Sequence, residues 1–327
     1  MKVCVVGAGS IGATIGARLA AVGQQVCLIA RGSHLQAIKS EGLQFIDQVG
    51  SRSGAYRLPA SAEPSDFGPQ DLVVIALKAY SVPAMLPRLA PLLDARTVVL
   101  PALNGLPWWY FYRSGGPHEG MRLRSLDPDG TMDRALDCAR VIGCVVHLAA
   151  EVPQPGWVQH TAGRRLIIGE PDGSDSDRLH RIEAALRAAD FDCEVSGQIR
   201  RDLWTKLIGN LSFNPVAALT GYRMDQICGD DEVLDVIRAV LREGMEVARR
   251  LDVTIGVTVE QRIDIARQLG GARISMLQDM EQRRPLELAA IVGAVIELAE
   301  LTGTPVPSTR ALHALVQARA RVLGIPI

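Results

Sequence analysis

Lys206, Asn210 and Asn214 recur at i, i+4 and i+8 within LWTKLIGNLSFNPVAALT, residues 203–220. That spacing lines one helix face with an amine and two amides. A lysine ordinarily titrates near about 10.4, so at neutral pH it can polarise a carbonyl and give a proton to its oxygen. Amide side chains hold a carboxylate or a hydroxyl without adding net charge. Leu203, Leu207, Leu211 and Phe213 flank the stripe, and a face that is merely solvated usually carries more charge. Asn214 precedes Pro215, which disfavours helical geometry at the residue before it, so a kink or break is expected there. Further on, SMLQDMEQRRPLEL carries Ser275, Asp279 and Glu287. Pro285 makes Glu287 an early-helix carboxylate, suited to a site or simply to the positive end of the helix.

A second constellation opens the chain. Gly7-Ala8-Gly9-Ser10-Ile11-Gly12 lies between an apolar run at 2–6 and a helical pattern at 11–21. In that frame the first glycine permits a tight turn, and the second lets backbone approach a pyrophosphate. The third lets helix and strand pack closely, while the helix start offers free N–H groups. The next apolar run, 25–30, ends in Ala30 followed by Arg31 rather than a carboxylate. A guanidinium there suits a ribose 2′-phosphate, so the cofactor expected is NADP.

These residues need elements to hold them. Runs at 71–77 and 97–100 read as further buried strands, and alternation with helical patterns predicts a doubly wound parallel sheet of Rossmann type. From 141 to 195 the reading is of successive strands (141–152, 156–160, 164–170), a helix at 174–189 and a strand at 191–195. Beyond Ser196 only amphipathic stretches follow, at 199–213, 231–251, 258–269, 286–302 and 308–323. The expected architecture is therefore α/β: a cofactor domain over 1–197 and an all-helical substrate domain over 198–327.

Charge and composition narrow the partners. Lys and Arg number 35 against 36 Asp and Glu, so the net charge is −1, which does not suit a nucleic-acid binder. The six cysteines form no C-x-x-C pair and the six histidines no metal-ligand spacing. Neither a disulfide framework nor a metal site is expected. The glycines break the only N-terminal apolar run, so neither a signal peptide nor a membrane span is read, and a cytoplasmic protein is expected. Apolar faces at Ile291, Val295, Leu298, Leu312, Leu315 and Val316 suit a core or a homodimer.

Taken together, the residues resemble the ketopantoate reductases (2-dehydropantoate 2-reductases) over nearly the whole chain. The resemblance runs through GAGSIG, Arg31, Lys78 after DLVVIAL, Asn104-Gly105, LWTKLIGNLSFNPVAALT and SMLQDMEQRRPLEL. It implies NADPH-dependent reduction of a 2-oxo acid, with Lys206 as general acid and Glu287 beside it. Asn104 would meet the cofactor and the reaction centre, and Lys78 would lie near phosphates or the substrate carboxylate. Asn210, Asn214 and Ser275 would bind substrate. One stretch departs from the family. Pro107-Trp108-Trp109-Tyr110-Phe111-Tyr112 and the Gly/Pro-rich residues to 133 read as an insertion, either packed on the sheet edge or serving as a lid for a bulkier 2-oxo acid. A non-catalytic NADP sensor would have no use for Lys206, Asn210, Asn214 and Glu287 together.

Overall fold

The computed structural model describes residues 1–326. By contact the chain forms two units, one of residues 1–103, 109–122 and 130–199, the other of residues 104–108, 123–129 and 200 onward.

The strands of the first unit are β1 (Lys2–Val6), β2 (Gln25–Ile29), β3 (Leu43–Asp47), β4 (Gly54–Tyr56) and β5 (Ala60–Ser61), then β6 (Leu72–Ile75), β7 (Val98–Pro101), β8 (Gly143–Glu151), β9 (Trp157–Gly169) and β10 (Asp192–Val195). Its helices are α1 (Ser10–Ala21), α2 (Gly32–Glu41), α3 (Val82–Met85), α4 (Thr131–Ala135) and α5 (Asp177–Ala188). One sheet is parallel throughout, in the order β5-β2-β1-β6-β7. Its inner strands are apolar and buried on both faces, as a parallel sheet requires. A second, mixed sheet runs β10-β9-β3-β4 with β8 antiparallel on β9. It is additional to the single sheet expected. The separate strands read at 156–160 and 164–170 are one continuous β9, because β8 pairs along it through a bulge that absorbs the interruption around Gly163.

Helix α1 is buried from Gly12 through Leu19 without a break, so it has no solvent face. Arg18 therefore needs partners inside the protein. Its Nη2 donates to both Asp47 oxygens at 2.8 and 2.9 Å, and Nη1 donates to Asp190 Oδ2 at 3.0 Å. His160 completes the cluster: its Nε2–H donates to the Gly163 carbonyl at 2.5 Å, leaving Nδ1 to accept from Arg18 at 3.2 Å. The network ties α1 to β3, β9 and the α5–β10 turn.

The aromatic stretch is packed rather than displayed. Trp108, Trp109, Tyr110 and Phe111 are all buried. The Trp109 ring lies so near Gly143, at the start of β8, that a Cβ there would stand 2.7 Å from it.

The second unit is helical: α6 (Ile199–Thr220), α7 (Met224–Cys228), α8 (Asp231–Arg250), α9 (Val259–Arg267), α10 (Ser275–Glu281), a π-helical turn at Ala289–Gly293, α11 (Ala294–Thr302) and α12 (Pro307–Leu323). Helix α6 continues through Asn214-Pro215 without a break. Pro215 removes only the hydrogen bond to the Leu211 carbonyl, and residues 211–218 are buried throughout, so packing holds the helix together. Leu234, Ile237, Leu241, Gly244 and Ala248 form the buried face of α8. Gly244 lets it approach Leu211 of α6. Glu243 accepts from the Ser308 and Thr309 N–H groups at 2.8 Å each, capping α12. Ile291, Val295, Leu298, Leu312 and Val316 belong to the core, and of that group Leu315 alone is exposed.

The Arg18 cluster sets an acid limit on stability. Burial would raise the Asp47 carboxyl, but the Arg52 and Val49 N–H groups and the Arg18 guanidinium outweigh it and hold it below its ordinary value. Burial, with Arg18 adjacent, lowers His160. Both groups are thus protonated more readily in the unfolded chain, so their contribution is whole above about pH 6.5 and falls as the pH drops toward the carboxylate range. Asp47→Asn removes the buried carboxylate from the Arg18 guanidinium, leaving only the half-exposed Asp190 to balance it, and is expected to cost about 3 kcal/mol at pH 7 in urea denaturation. The same substitution should flatten the acid limb of the stability profile.

Candidate active site

The dinucleotide signature is a tight turn in the first unit. Gly7 has φ +100°, and its N–H and that of Ala8 both donate to the Ile29 carbonyl at 3.0 Å. A Cβ on Gly12 would stand 2.1 Å from the Gly7 carbonyl oxygen and 2.9 Å from Val5, so only glycine lets α1 start this close to β1. Gly9 is different. A Cβ there meets nothing within 4 Å, so the room above it is free for a ligand rather than filled by protein. No side chain caps α1, which leaves the first-turn N–H groups of Ser10, Ile11 and Gly12 available to an anion. This cradle fits a pyrophosphate.

Arg31 caps α2 with extended backbone, its carbonyl accepting from the Leu35 N–H at 3.3 Å; its side chain is exposed and makes no hydrogen bond or ion pair among the described residues. Lys78 stands just past β6, at the start of the one-turn helix Ala79–Ser81. The glycine turn touches that end of β6, since a Cβ on Gly7 would fall 2.7 Å from the Ala76 carbonyl oxygen.

The second unit brings three expected residues together. Lys206 Nζ donates to Asn104 Oδ1 at 2.9 Å, and Asn104 Nδ2 donates to Glu287 Oε2 at 3.3 Å. The amide thereby links an ammonium to a carboxylate that is only 5% exposed. The local backbone explains the meeting. Gly105 has φ +80°, and a Cβ on it would lie 2.4 Å from the Ala290 carbonyl oxygen, while Leu106 N–H donates to that same oxygen at 2.9 Å. The turn carrying Asn104 is thus seated on the π-helical turn that follows Glu287. On the other side, Asp279 holds the connection from α10. It is buried, it accepts from Arg284 Nε at 2.8 Å, and its carbonyl takes the Arg284 N–H. Arg283 turns through a positive φ of 53° between them.

The remaining expected residues are left with unused hydrogen-bonding capacity. Asn214 is 3% exposed, yet its Nδ2 has no partner. Asn210 and the Ser275 hydroxyl are half-buried and make no side-chain hydrogen bond among the described residues. A buried donor without a partner is costly, and of the three only the Asn214 amide is such a donor. Arg262 of α9 packs on the same helix as Lys206, its guanidinium over the Phe213 ring at 5.6 Å and against Gly209. Among the described residues no cluster of His, Cys, Asp or Glu is arranged to hold a metal, and no helix is long and apolar enough to cross a membrane.

Two family models match the chain. One described as ketopantoate reductase PanE/ApbA covers residues 3–109, and its C-terminal counterpart covers residues 198–320. A 2-dehydropantoate 2-reductase of Mesorhizobium japonicum is 41% identical over 318 residues, 97% of each chain. A crystal structure from Ralstonia solanacearum MolK2, named for ketopantoate reductase, superposes with a TM-score of 0.93 at 39% identity, covering 99% of this chain and 98% of that one. A PanE/ApbA family ketopantoate reductase from Ralstonia eutropha JMP134 gives 0.85 at 28% identity, over 99% and 100%.

Gly105→Ala tests the seat of the turn. The added methyl strikes the Ala290 carbonyl and the φ is left-handed, so a loss of at least about 2 kcal/mol is expected in denaturant melts. Gly12→Ala should behave alike. Gly9→Ala should melt within about 2 °C of the parent.

Proposed function

The chain belongs to the ketopantoate reductase family, and on that premise we propose that it reduces 2-dehydropantoate to the 2-hydroxy acid with NADPH. In this reading residues 1–197 hold the dinucleotide and residues 198–327 receive the 2-oxo acid. The observation that carries it is the hydrogen-bonded chain from Lys206 through Asn104 to Glu287, beside amide and hydroxyl groups that the protein itself leaves unused.

When bound, the reduced nicotinamide supplies the hydride that goes to the carbonyl carbon. Lys206 polarises the carbonyl by donating from Nζ, and its proton passes to the oxygen as negative charge develops there. Glu287, through Asn104, keeps the ammonium aimed. Asn210, Asn214 and Ser275 take the substrate's carboxylate and hydroxyl oxygens. In the first unit, Gly7, Gly9 and Gly12 shape the pyrophosphate cradle, with the Ser10 and Ile11 N–H groups aimed into it. Arg31 meets the 2′-phosphate, and Lys78 adds positive charge toward the phosphates. A guanidinium without a competing carboxylate favours NADPH over NADH.

Steady-state oxidation of NADPH with 2-dehydropantoate tests the reading. Lys206→Ala should lower kcat by about 10²–10⁴-fold with the KM for NADPH little changed. Arg31→Ala should raise the KM for NADPH and leave that for NADH alone. A parent enzyme that prefers NADH would overturn the cofactor assignment. Absence of turnover with 2-dehydropantoate would overturn the substrate.

A further inference from the structure

His34 takes no part in the chemistry above, yet its ring is held from both sides in the first turn of α2. The Gly156 N–H donates to its Nδ1 at 3.0 Å. A nitrogen that accepts carries no proton, so the ring is neutral and its proton sits on Nε2. That nitrogen is sealed from solvent and has no partner in hydrogen-bond geometry. Burial pulls the imidazole below its ordinary value, against the opposing pull of the Ala8 carbonyl beside it. Ala8 lies between the first two glycines of the dinucleotide turn. The one donor left to His34 is therefore directed at the backbone of that turn.

Gly156, in the connection between β8 and β9, is a fixed anchor. Its φ is +80°, and a Cβ on it would stand 2.8 Å from the Ala37 Cβ of α2. Its carbonyl accepts from the Gln44 N–H of β3 at 2.8 Å. The hairpin is thus pressed on α2 and tied to the second sheet, where it can hold the imidazole at a set angle. The glycine turn is fixed to the same neighbourhood by β2, because Gly7 and Ala8 both donate to Ile29 and the chain passes from Ile29 directly into α2. Arg31 caps that helix three residues before His34, so the two lie one turn apart on one face.

We propose that His34 is a positioning residue for the cofactor: anchored on Gly156, it holds the Ala8–Gly9 peptide and the first turn of α2, which carries Arg31, in the arrangement that receives the dinucleotide's phosphates. This inference rests on the reading of residues 1–197 as the half that binds NADPH. The unmet donor gives the arrangement its leverage. Closing the hydrogen bond from Nε2 to the Ala8 carbonyl when phosphate fills the cradle stabilises only the loaded protein.

The test is NADPH binding to the full chain, followed by the fluorescence of the reduced nicotinamide. His34→Leu keeps the volume and removes both hydrogen bonds, so it should weaken NADPH about 10-fold, the worth of one hydrogen bond. His34→Gln keeps an N–H at the reach of Nε2 and should stay within about threefold of the parent. A merely structural histidine would give a lower Tm for both variants with NADPH bound as the parent binds it, and that result overturns the proposal. Long-range proton–nitrogen spectra of the parent require no variant to fold. They should show the His34 proton on Nε2 and a shift of that resonance when NADPH is added; a proton on Nδ1, or no response to NADPH, overturns the proposal. A parent that binds neither NADPH nor NADH overturns the cofactor reading and this one with it. A parent and a His34→Leu that bind NADPH equally well remove the role of His34 alone.

Discussion

The contact between Gly105 and the Ala290 carbonyl sets the terms for the second unit. A carbonyl inside a regular helix is engaged by the N–H four residues on; the π-helical turn at Ala289–Gly293 shifts that ladder by one residue, and the Ala290 carbonyl accepts from Leu106 across the contact. Only a residue without a side chain can come this close. The consequence is chemical, because the residue before that glycine is Asn104. Its amide faces both ways, oxygen toward Lys206 and nitrogen toward Glu287. One backbone approach therefore aligns three groups drawn from distant parts of the chain.

Buried polar groups meet two fates in this chain. The terminal nitrogens of Arg18 face two carboxylates and an imidazole, although its Nε is sealed without a partner. That network braces α1 beneath the glycine turn. Asn214 Nδ2 in the second unit is likewise sealed in without a partner, as are Gln24 Oε1, His34 Nε2 and Trp109 Nε1 in the first. Such groups reduce stability, and one that shares the stripe of Lys206, as Asn214 does, is also a preorganised donor.

The sequence makes some of this plain and conceals the rest. Strands β1, β2, β6 and β7 are legible because each is a short run of buried aliphatic residues, and the glycine turn because its spacing fits one geometry. Strand β3 (LQFID) alternates polar with apolar residues rather than forming an aliphatic run, while β4 and β5 are only three and two residues long and β4 is largely exposed, so an apolar run has nothing to register there. The strands read apart at 156–160 and 164–170 merge because pairing with β8 supplies what local propensity lacks around Gly163. At Pro215 a local rule loses to burial on every side. The stripe of Lys206, Asn210 and Asn214 is visible because it is local. Its lysine meets Asn104 across 102 residues, and Asn104 meets Glu287 across 183, and no periodicity encodes that.

Three glycines that one motif groups together carry unequal burdens. Gly7 and Gly12 are pressed against protein, whereas Gly9 borders empty space. Damage at the first two would be felt in a cell as loss of the protein itself, since a destabilised fold is cleared by quality control. Damage at Gly9 would leave abundance intact and empty the protein of function. A survey of tolerated substitutions that scored only expression would rank Gly9 as dispensable, and it would be misled by the very openness that makes the position useful.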